Sequence, residues 1–400
     1  MSKENNSSAE RRKEQLSKSS NKSKENKGAS NVIAITATTA SQTKPKAVVY
    51  ADRVFRIADG KTAHGLVRHT TRFNVVALVD STLQDGQDAL EVLDGVKKGI
   101  PVYTNLEKAV LETKPDTFII GAVTEGGKIP NGYDKAITWA IEHKLNIVSG
   151  LHEFISDKPR WVRLARKHGV TITDVRKMFR DHKVFYTGEI LKTGCLRIAT
   201  IGTDSAIGKR TTAVVIVNEL RARGYKAEMI FTGQPGWMQG WKYGVVLDSM
   251  INDFVSGGIE DAIVRAWNEE KPDFVIIEGQ GSLVHPFFPG GFEILCSGQV
   301  HGFILQHAPG RPHLDGFPDY PIPDPARVIK IAEMLTEKKL TGITLNHENM
   351  NRKQIDEIKR RYKKEYGVPV EDPIWHGAKE IADKLIEMKK ELNAVKSSKK

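Results

Sequence analysis

Only two cysteines, Cys195 and Cys296, occur in 400 residues. They cannot build a disulfide framework, and so low a count suits a reducing compartment such as the cytoplasm. No uninterrupted apolar run approaches the ~20 residues of a membrane-spanning helix. The basic N-terminus has no apolar segment beside it of the kind a secretory signal needs. The net charge is +11, yet seven of these charges lie in residues 1–30 and 392–400. The body between is nearly balanced and has no basic stripe with interleaved aromatics, so no specific nucleic acid is expected. Residues 1–30 lack aromatics and are rich in Ser, Asn, Lys and Glu. We therefore read residues 1–45 and 392–400 as solvated, disordered tails. Nor does the first apolar run lead into G-x-G-x-x-G, so no dinucleotide fingerprint is present.

What the chain does have is a phosphate-cradle pattern. Leu196 to Ile201 is an apolar, β-prone run broken only by Arg197. It leads into Gly202-Thr203-Asp204-Ser205-Ala206-Ile207-Gly208-Lys209-Arg210-Thr211, and Thr212 to Arg223 then has helical character. This order lets backbone N–H groups and a helix N-terminus face an anion, with Lys209 as a point charge and a hydroxyl for Mg²⁺. Two departures from G-x-x-x-x-G-K-[ST] are present. Five residues separate the glycines, and Arg210 stands between Lys209 and Thr211. Further on, the apolar run ending at Ile277 is closed by Glu278-Gly279-Gln280-Gly281. An acid at a strand end is the second half of such a site, because its carboxylate orients Mg²⁺ or its waters. The candidate phosphate binders are Gly202, Thr203, Asp204, Ser205, Gly208, Lys209, Arg210, Thr211 and Thr212; the candidate metal ligands are Thr211 and Glu278.

Elsewhere strand-like runs alternate with helical ones. Ala47–Tyr50, Asn74–Asp80, Thr117–Ala122, Asn146–Ser149 and Val170–Thr173 read as strands, with helices at Thr62–His69, Leu106–Glu112, Tyr133–His143 and Arg160–His168. After the loop come strands at Ala227–Thr232, Gly302–Gln306, Ile343–Asn346 and Val368–Val370, and helices at Asp248–Asn268, Pro325–Thr336, Arg352–Tyr366 and Ala378–Leu392. Such alternation predicts an α/β protein. We expect a Rossmann-like domain over 46–190, then a P-loop NTPase-like, doubly wound parallel-sheet domain over 191–391. Asp80 holds the place of a ribose-binding acid. Gly60-Lys61-Thr62 looks like G-K-T but lacks the upstream glycine. Ligands bind at strand carboxyl ends in open parallel sheets, which singles out Gly121–Lys128 and Ser149–Glu153. His152 and Glu153 serve there either as catalytic groups or as caps, and Asp248 either touches ligand or caps the helix behind it.

Two likenesses follow from these motifs. Gly202 to Lys209 with Glu278–Gly281 resembles dethiobiotin synthetase and its phosphate-loop relatives. That likeness implies Mg²⁺ on the acid and adenine beside an Asn after a late strand, here Asn346; Arg210 departs from it. From Tyr50 to Leu392 the chain is similar to a two-domain family, Rossmann-like then P-loop, long catalogued as a domain of unknown function and including the D-glutamate N-acetyltransferase DgcN. The segments that carry this are Lys61-Thr62-Ala63, Gly121–Pro130, Ser149–His152, the phosphate loop, Thr232-Gly233-Gln234, Asp248 with Asp253-Phe254, and Glu278–Leu283 followed by His285-Pro286. The resemblance implies transfer of an acetyl group from acetyl-CoA to the amine of an acidic amino acid, with the loop holding the CoA phosphates. Lys209, Glu278, His285 and His307 are then candidate catalytic groups, and Lys128, Asp248, Gln280 and Arg311 candidate substrate binders. The dethiobiotin likeness implies instead ATP- and Mg²⁺-dependent phosphoryl transfer by a ligase or kinase. A non-catalytic sensor of nucleotides or acidic metabolites is the third reading. Resemblance also implies a homo-oligomer.

Overall fold

The computed structural model describes residues 44–397; of the tails expected at residues 1–45 and 392–400, residues 1–43 and 398–400 lie outside the described residues. Strands of the first half are β1 (Lys46–Tyr50), β2 (Asn74–Val79), β3 (Val102–Tyr103), β4 (Thr117–Ile120), β5 (Asn146–Ser149) and β6 (Ile172–Asp174). They pair in the order β3-β2-β1-β4-β5-β6, parallel throughout. This is the doubly wound order whose crevice opens where β1 and β4 diverge. The second half contributes β7 (Leu196–Gly202), β8 (Ala227–Phe231), β9 (Tyr243–Gly244), β10 (Phe274–Ile277), β11 (Gly302–His307), β12 (His313–Leu314), β13 (Phe317–Pro321), β14 (Leu340–Leu345) and β15 (Val370–Glu371). Its parallel sheet runs β15-β14-β11-β7-β10-β8-β9, and β12 and β13 form a separate antiparallel hairpin.

Helices cover both faces of a parallel sheet, so its strands are apolar runs; every residue of β7, β10 and β11 is buried. The one charge in β7 is satisfied, because the Arg197 guanidinium donates to Gly298 O, Gln299 O and the Thr193 hydroxyl. Helix Lys209–Ala222 buries Thr212, Ala213, Ile216, Val217 and Leu220, recurring every three to four residues as a core-facing stripe must.

The halves share one apolar cluster that includes Leu66, Val67 and Val175 from the first and Phe231, Met238 and Trp241 from the second. Backbone bonds cross the junction: Thr71 N–H donates to Gln239 O at 2.8 Å, and the Gln239 side chain donates back to Gly65 O at 2.8 Å. Several elements differ from the sequence reading, and three of them show why. Helix Asn252–Glu270 begins four positions after Asp248 and has Ile251 as its N-cap, so Asp248 caps nothing. The segment before Pro325, where the sequence reading placed no strand, contains the β12–β13 hairpin; β13 carries two prolines and is mostly exposed, so no apolar run marks it. Helix Lys379–Ser397 runs past Leu392 into the segment read as a tail, because Met388 and Leu392 still pack on the core. No helix among the described residues is long and apolar enough to cross a membrane.

Candidate active site

β7, β10 and β8 lie side by side in parallel register, so Gly202, Glu278 and Thr232 emerge at one edge of the sheet. The loop Thr203–Gly208 follows. Gly208 is the helix N-cap at φ 105°, a conformation open to glycine. No side chain caps this helix, which leaves its first N–H groups for an anion. Lys209 is only 6% exposed, and its ammonium donates to Asp204 O at 2.6 Å. Burial pulls its pKa down to about 7; Asp204 and Glu278 resist, while Lys61 and Arg311 add to the fall. Gly279 must be glycine, since a Cβ there would lie 1.7 Å from Thr200 O and 2.9 Å from Lys209 Cδ.

That pKa sets a pH dependence. An oxyanion held by Lys209 binds the ammonium, so above pH ~7 binding takes up a proton. The affinity for a non-titrating probe such as sulfate is expected to fall from pH 7 upward, by at most about tenfold per pH unit. Calorimetry at several pH values reads this slope, and Lys209→Arg should flatten it. A flat wild-type profile would mean that Lys209 does not titrate near 7 in the free protein or does not hold the anion.

The loop is braced from behind. The buried Asp204 carboxylate accepts from Ser205 N–H at 2.6 Å, Asp315 N–H at 2.9 Å and Arg311 at 2.8 Å. Ser205 donates to Asp315 at 2.7 Å, Thr203 hydrogen-bonds with His307 at 2.9 Å, and Thr212 is turned into the sheet toward Gln306 and Thr344. Arg311 spends its other edge on Glu348, at 2.6 and 3.3 Å. Asn346 donates to Ile207 O at 3.0 Å and accepts from Glu348 N–H at 2.9 Å. Arg311 and Asn346, expected on substrate carboxylate and adenine, are thus occupied in holding the loop.

Glu278 is buried, and its Oε2 accepts Thr232 N–H at 3.0 Å. Its Oε1 faces Arg210 Nη1 at 3.7 Å. Burial pushes the Glu278 carboxyl up, and the Arg210 guanidinium counters this. Arg210 in turn donates to Lys61 O at 3.2 Å, across the domain junction. Thr211 is half-buried. Gln280 is half-buried, its amide 2.7 Å from where a Gly233 Cβ would stand.

On the Rossmann side of this junction, Gly150 sits where a Cβ would fall 2.5 Å from the Gln234 side chain. Arg176 donates to Gly150 O and forks onto Asp248 at 3.0 and 2.6 Å. His152 Nε2 faces the same carboxylate at 3.7 Å. Burial pushes the Asp248 carboxyl up, but the nearby His152 and the hydrogen-bonded fork of Arg176 outweigh it and hold it well below the ordinary range. The His152 N–H and Glu153 N–H both donate to Gly127 O at 2.9 Å, which latches the Gly121–Lys128 loop; Lys128 itself is exposed. Glu153 is structural, bonded to Ile129 N–H at 2.9 Å and paired with Lys158 at 2.5 Å.

The histidines differ sharply. The His285 side chain is 0% exposed and its Nδ1 accepts from Phe287 N–H at 3.1 Å and Phe288 N–H at 2.9 Å. Its proton is therefore on Nε2, 3.5 Å from Asp204, and no nitrogen is left to act as a base. His307 is 4% exposed, and burial lowers its pKa to about 4. Asp80 is wholly buried and accepts from Phe55 N–H, Thr82 N–H and the Thr82 hydroxyl at 2.7–3.0 Å. It fastens the loop after β1 and presents nothing to a ribose. Sequence reasoning did not name Lys61, Arg176 or Asp315 as site residues. Lys61 alone left a signal, in the incomplete G-K-T.

Residues 184–382 match the family described as "Domain of unknown function (DUF1611_C) P-loop domain", and residues 82–178 match "Domain of unknown function (DUF1611_N) Rossmann-like domain". A D-glutamate N-acetyltransferase from Tritonibacter scottomollicae is 32% identical over 275 residues, covering 67% of this chain and 80% of that protein. A protein of the same name from a Pseudoalteromonas species is 32% identical over 296 residues, covering 72% and 86%. A crystal structure of a DUF1611 family protein from Anabaena variabilis has a TM-score of 0.79 and 28% identity, covering 86% of this chain and 100% of that one. With a Rossmann-like half and a P-loop half joined in this order, the chain belongs to the DUF1611 family.

Proposed function

We propose that this protein transfers an acetyl group from acetyl-CoA to the amine of an acidic amino acid, D-glutamate first among the acceptors. The observation that carries this is the 32% identity to two D-glutamate N-acetyltransferases across 80% and 86% of their lengths. The uncapped helix N-terminus and Lys209 suit the phosphates of CoA, because such a cradle recognises oxyanions whatever they are attached to. In the reaction the amine nitrogen bonds to the thioester carbonyl carbon, the C–S bond breaks and the thiolate of CoA leaves. The amine proton must pass to a base.

We assign that base to His152. Its side chain is 38% exposed and faces a carboxylate, whereas His285 and His307 are buried and bonded within the loop's supports. Asp248 orients the ring and stabilises its protonated form. Lys61, half-buried beside Asp315, and the exposed Lys128 are the cations open to the acceptor's carboxylates.

The test is direct. Protein with acetyl-CoA and D-glutamate is expected to release free thiol in step with N-acetylglutamate. A parallel incubation with ATP and Mg²⁺ should form no ADP. Absence of thiol across a panel of acidic amino acids would sink the acetyltransferase reading. ADP formation that depends on Lys209 would favour phosphoryl transfer instead.

A further inference from the structure

We propose that Arg210 takes the place of the divalent cation in this phosphate loop, so that the site binds pyrophosphate-type anions without a metal. In phosphate loops that use Mg²⁺, the hydroxyl directly after the loop lysine and the strand-end acid together hold the ion and its waters. Neither is available here. The residue after Lys209 is arginine, and its Nη1 stands 3.7 Å from Glu278 Oε1. The other oxygen of Glu278 accepts Thr232 N–H at 3.0 Å. Thr212 is bonded to Gln306 and Thr344 inside the sheet. Thr211 stands one position beyond Arg210, which on an α-helix turns its side chain about 100° away. The side chains that would hold Mg²⁺ beside the phosphates are thus replaced or already engaged, and this donor set does not fit the ion.

A guanidinium supplies a permanent positive charge and five N–H donors in a fixed fork, enough to bridge a carboxylate and a phosphate. The chain is shaped to keep it there. Arg210 Nη2 donates to Lys61 O at 3.2 Å, so the cation is anchored from the Rossmann half. Gly65, in the middle of helix Lys61–Arg68, makes room for it: a Cβ there would lie 2.8 Å from Arg210 Nη2. A mid-helix glycine destabilises a helix relative to alanine, and the approach of Arg210 is a reason for it to stand there.

This inference rests on the loop being an anion site, but not on acetyl transfer. It is tested by titrating the full-length protein calorimetrically with desulfo-coenzyme A and, separately, with ADP, each in EDTA and in millimolar Mg²⁺. The better ligand is expected to bind equally within about threefold in the two buffers. Arg210→Ala should weaken it by about tenfold or more even in EDTA. Arg210→Ser, which restores the hydroxyl and frees Glu278, should bind more tightly with Mg²⁺ than in EDTA. Wild-type binding strengthened beyond threefold by Mg²⁺ overturns the inference without any variant having to fold, as does unchanged affinity in a folded Arg210→Ala. If ADP binds and desulfo-coenzyme A does not, acetyl transfer falls while the metal-free site stands. If neither binds in either buffer, both fall.

Discussion

Lys209→Ala is expected to lower kcat/KM for acetyl-CoA by about 10²–10³-fold, and to remove sulfate binding at pH 7. Lys209 sits behind an uncapped helix N-terminus, walled in by Gly202 and Gly279, with no other ammonium in the loop. An anion in the cradle therefore loses its nearest positive charge. The loss should fall mainly on KM, because the phosphates of CoA are remote from the bond being broken. Lys209 is also a packed core residue, so its truncation opens a hole and strips Asp204 O of its donor. Lys209→Met, similar in length and uncharged, separates the two effects: Tm should recover while sulfate affinity does not. Sulfate affinity retained in either folded variant would show that the anion, if any, binds elsewhere.

His152→Gln is expected to lower kcat by about 10²–10⁴-fold with little change in KM for acetyl-CoA. Gln keeps size and polarity but cannot take the amine proton. Asp248→Asn should lower kcat less, since it removes only the charge that orients the ring; Arg176 would lose its forked partner too, so Tm is measured alongside. The buried histidines should behave in the opposite way. His285→Gln removes the acceptor of two backbone N–H groups and should lower Tm, with kcat following only as the loop loosens. Full kcat in His152→Gln, or loss of kcat at unchanged Tm in His285→Gln, would reverse the assignment.

Much of the fold was legible because it is local. The strands β1, β2, β4, β5, β7, β8, β10, β11 and β14 were read within a few residues, since a strand covered on both faces must be a continuous apolar run. The missed strands are the two-residue β3 and β9, where periodicity has no room, and the β12–β13 hairpin, whose longer strand carries two prolines and is mostly exposed. The hairpin mattered for the site, because its turn carries Asp315 onto Ser205 and Asp204. At Asp80 the motif was present and the use was not, because a ten-residue loop after β1 (51–60) takes the carboxylate that a tight glycine turn would have left free.

The sequence by itself determined the order of the two sheets' elements, the Gly202–Lys209 loop between strand and helix, and the acid at the end of a later strand. Each is a matter of contiguous residues and their period. It could not determine what each charge in that loop is paired with, because those partners come from segments far apart in the chain. Arg311 and Asn346 read as ligand binders and His285 and His307 as catalytic groups, and packing made each a brace. Arg210 read as an interruption of the loop pattern. Only the tertiary structure set it between Glu278 and Lys61 O, where a buried carboxylate needs a cation and one is built into the chain.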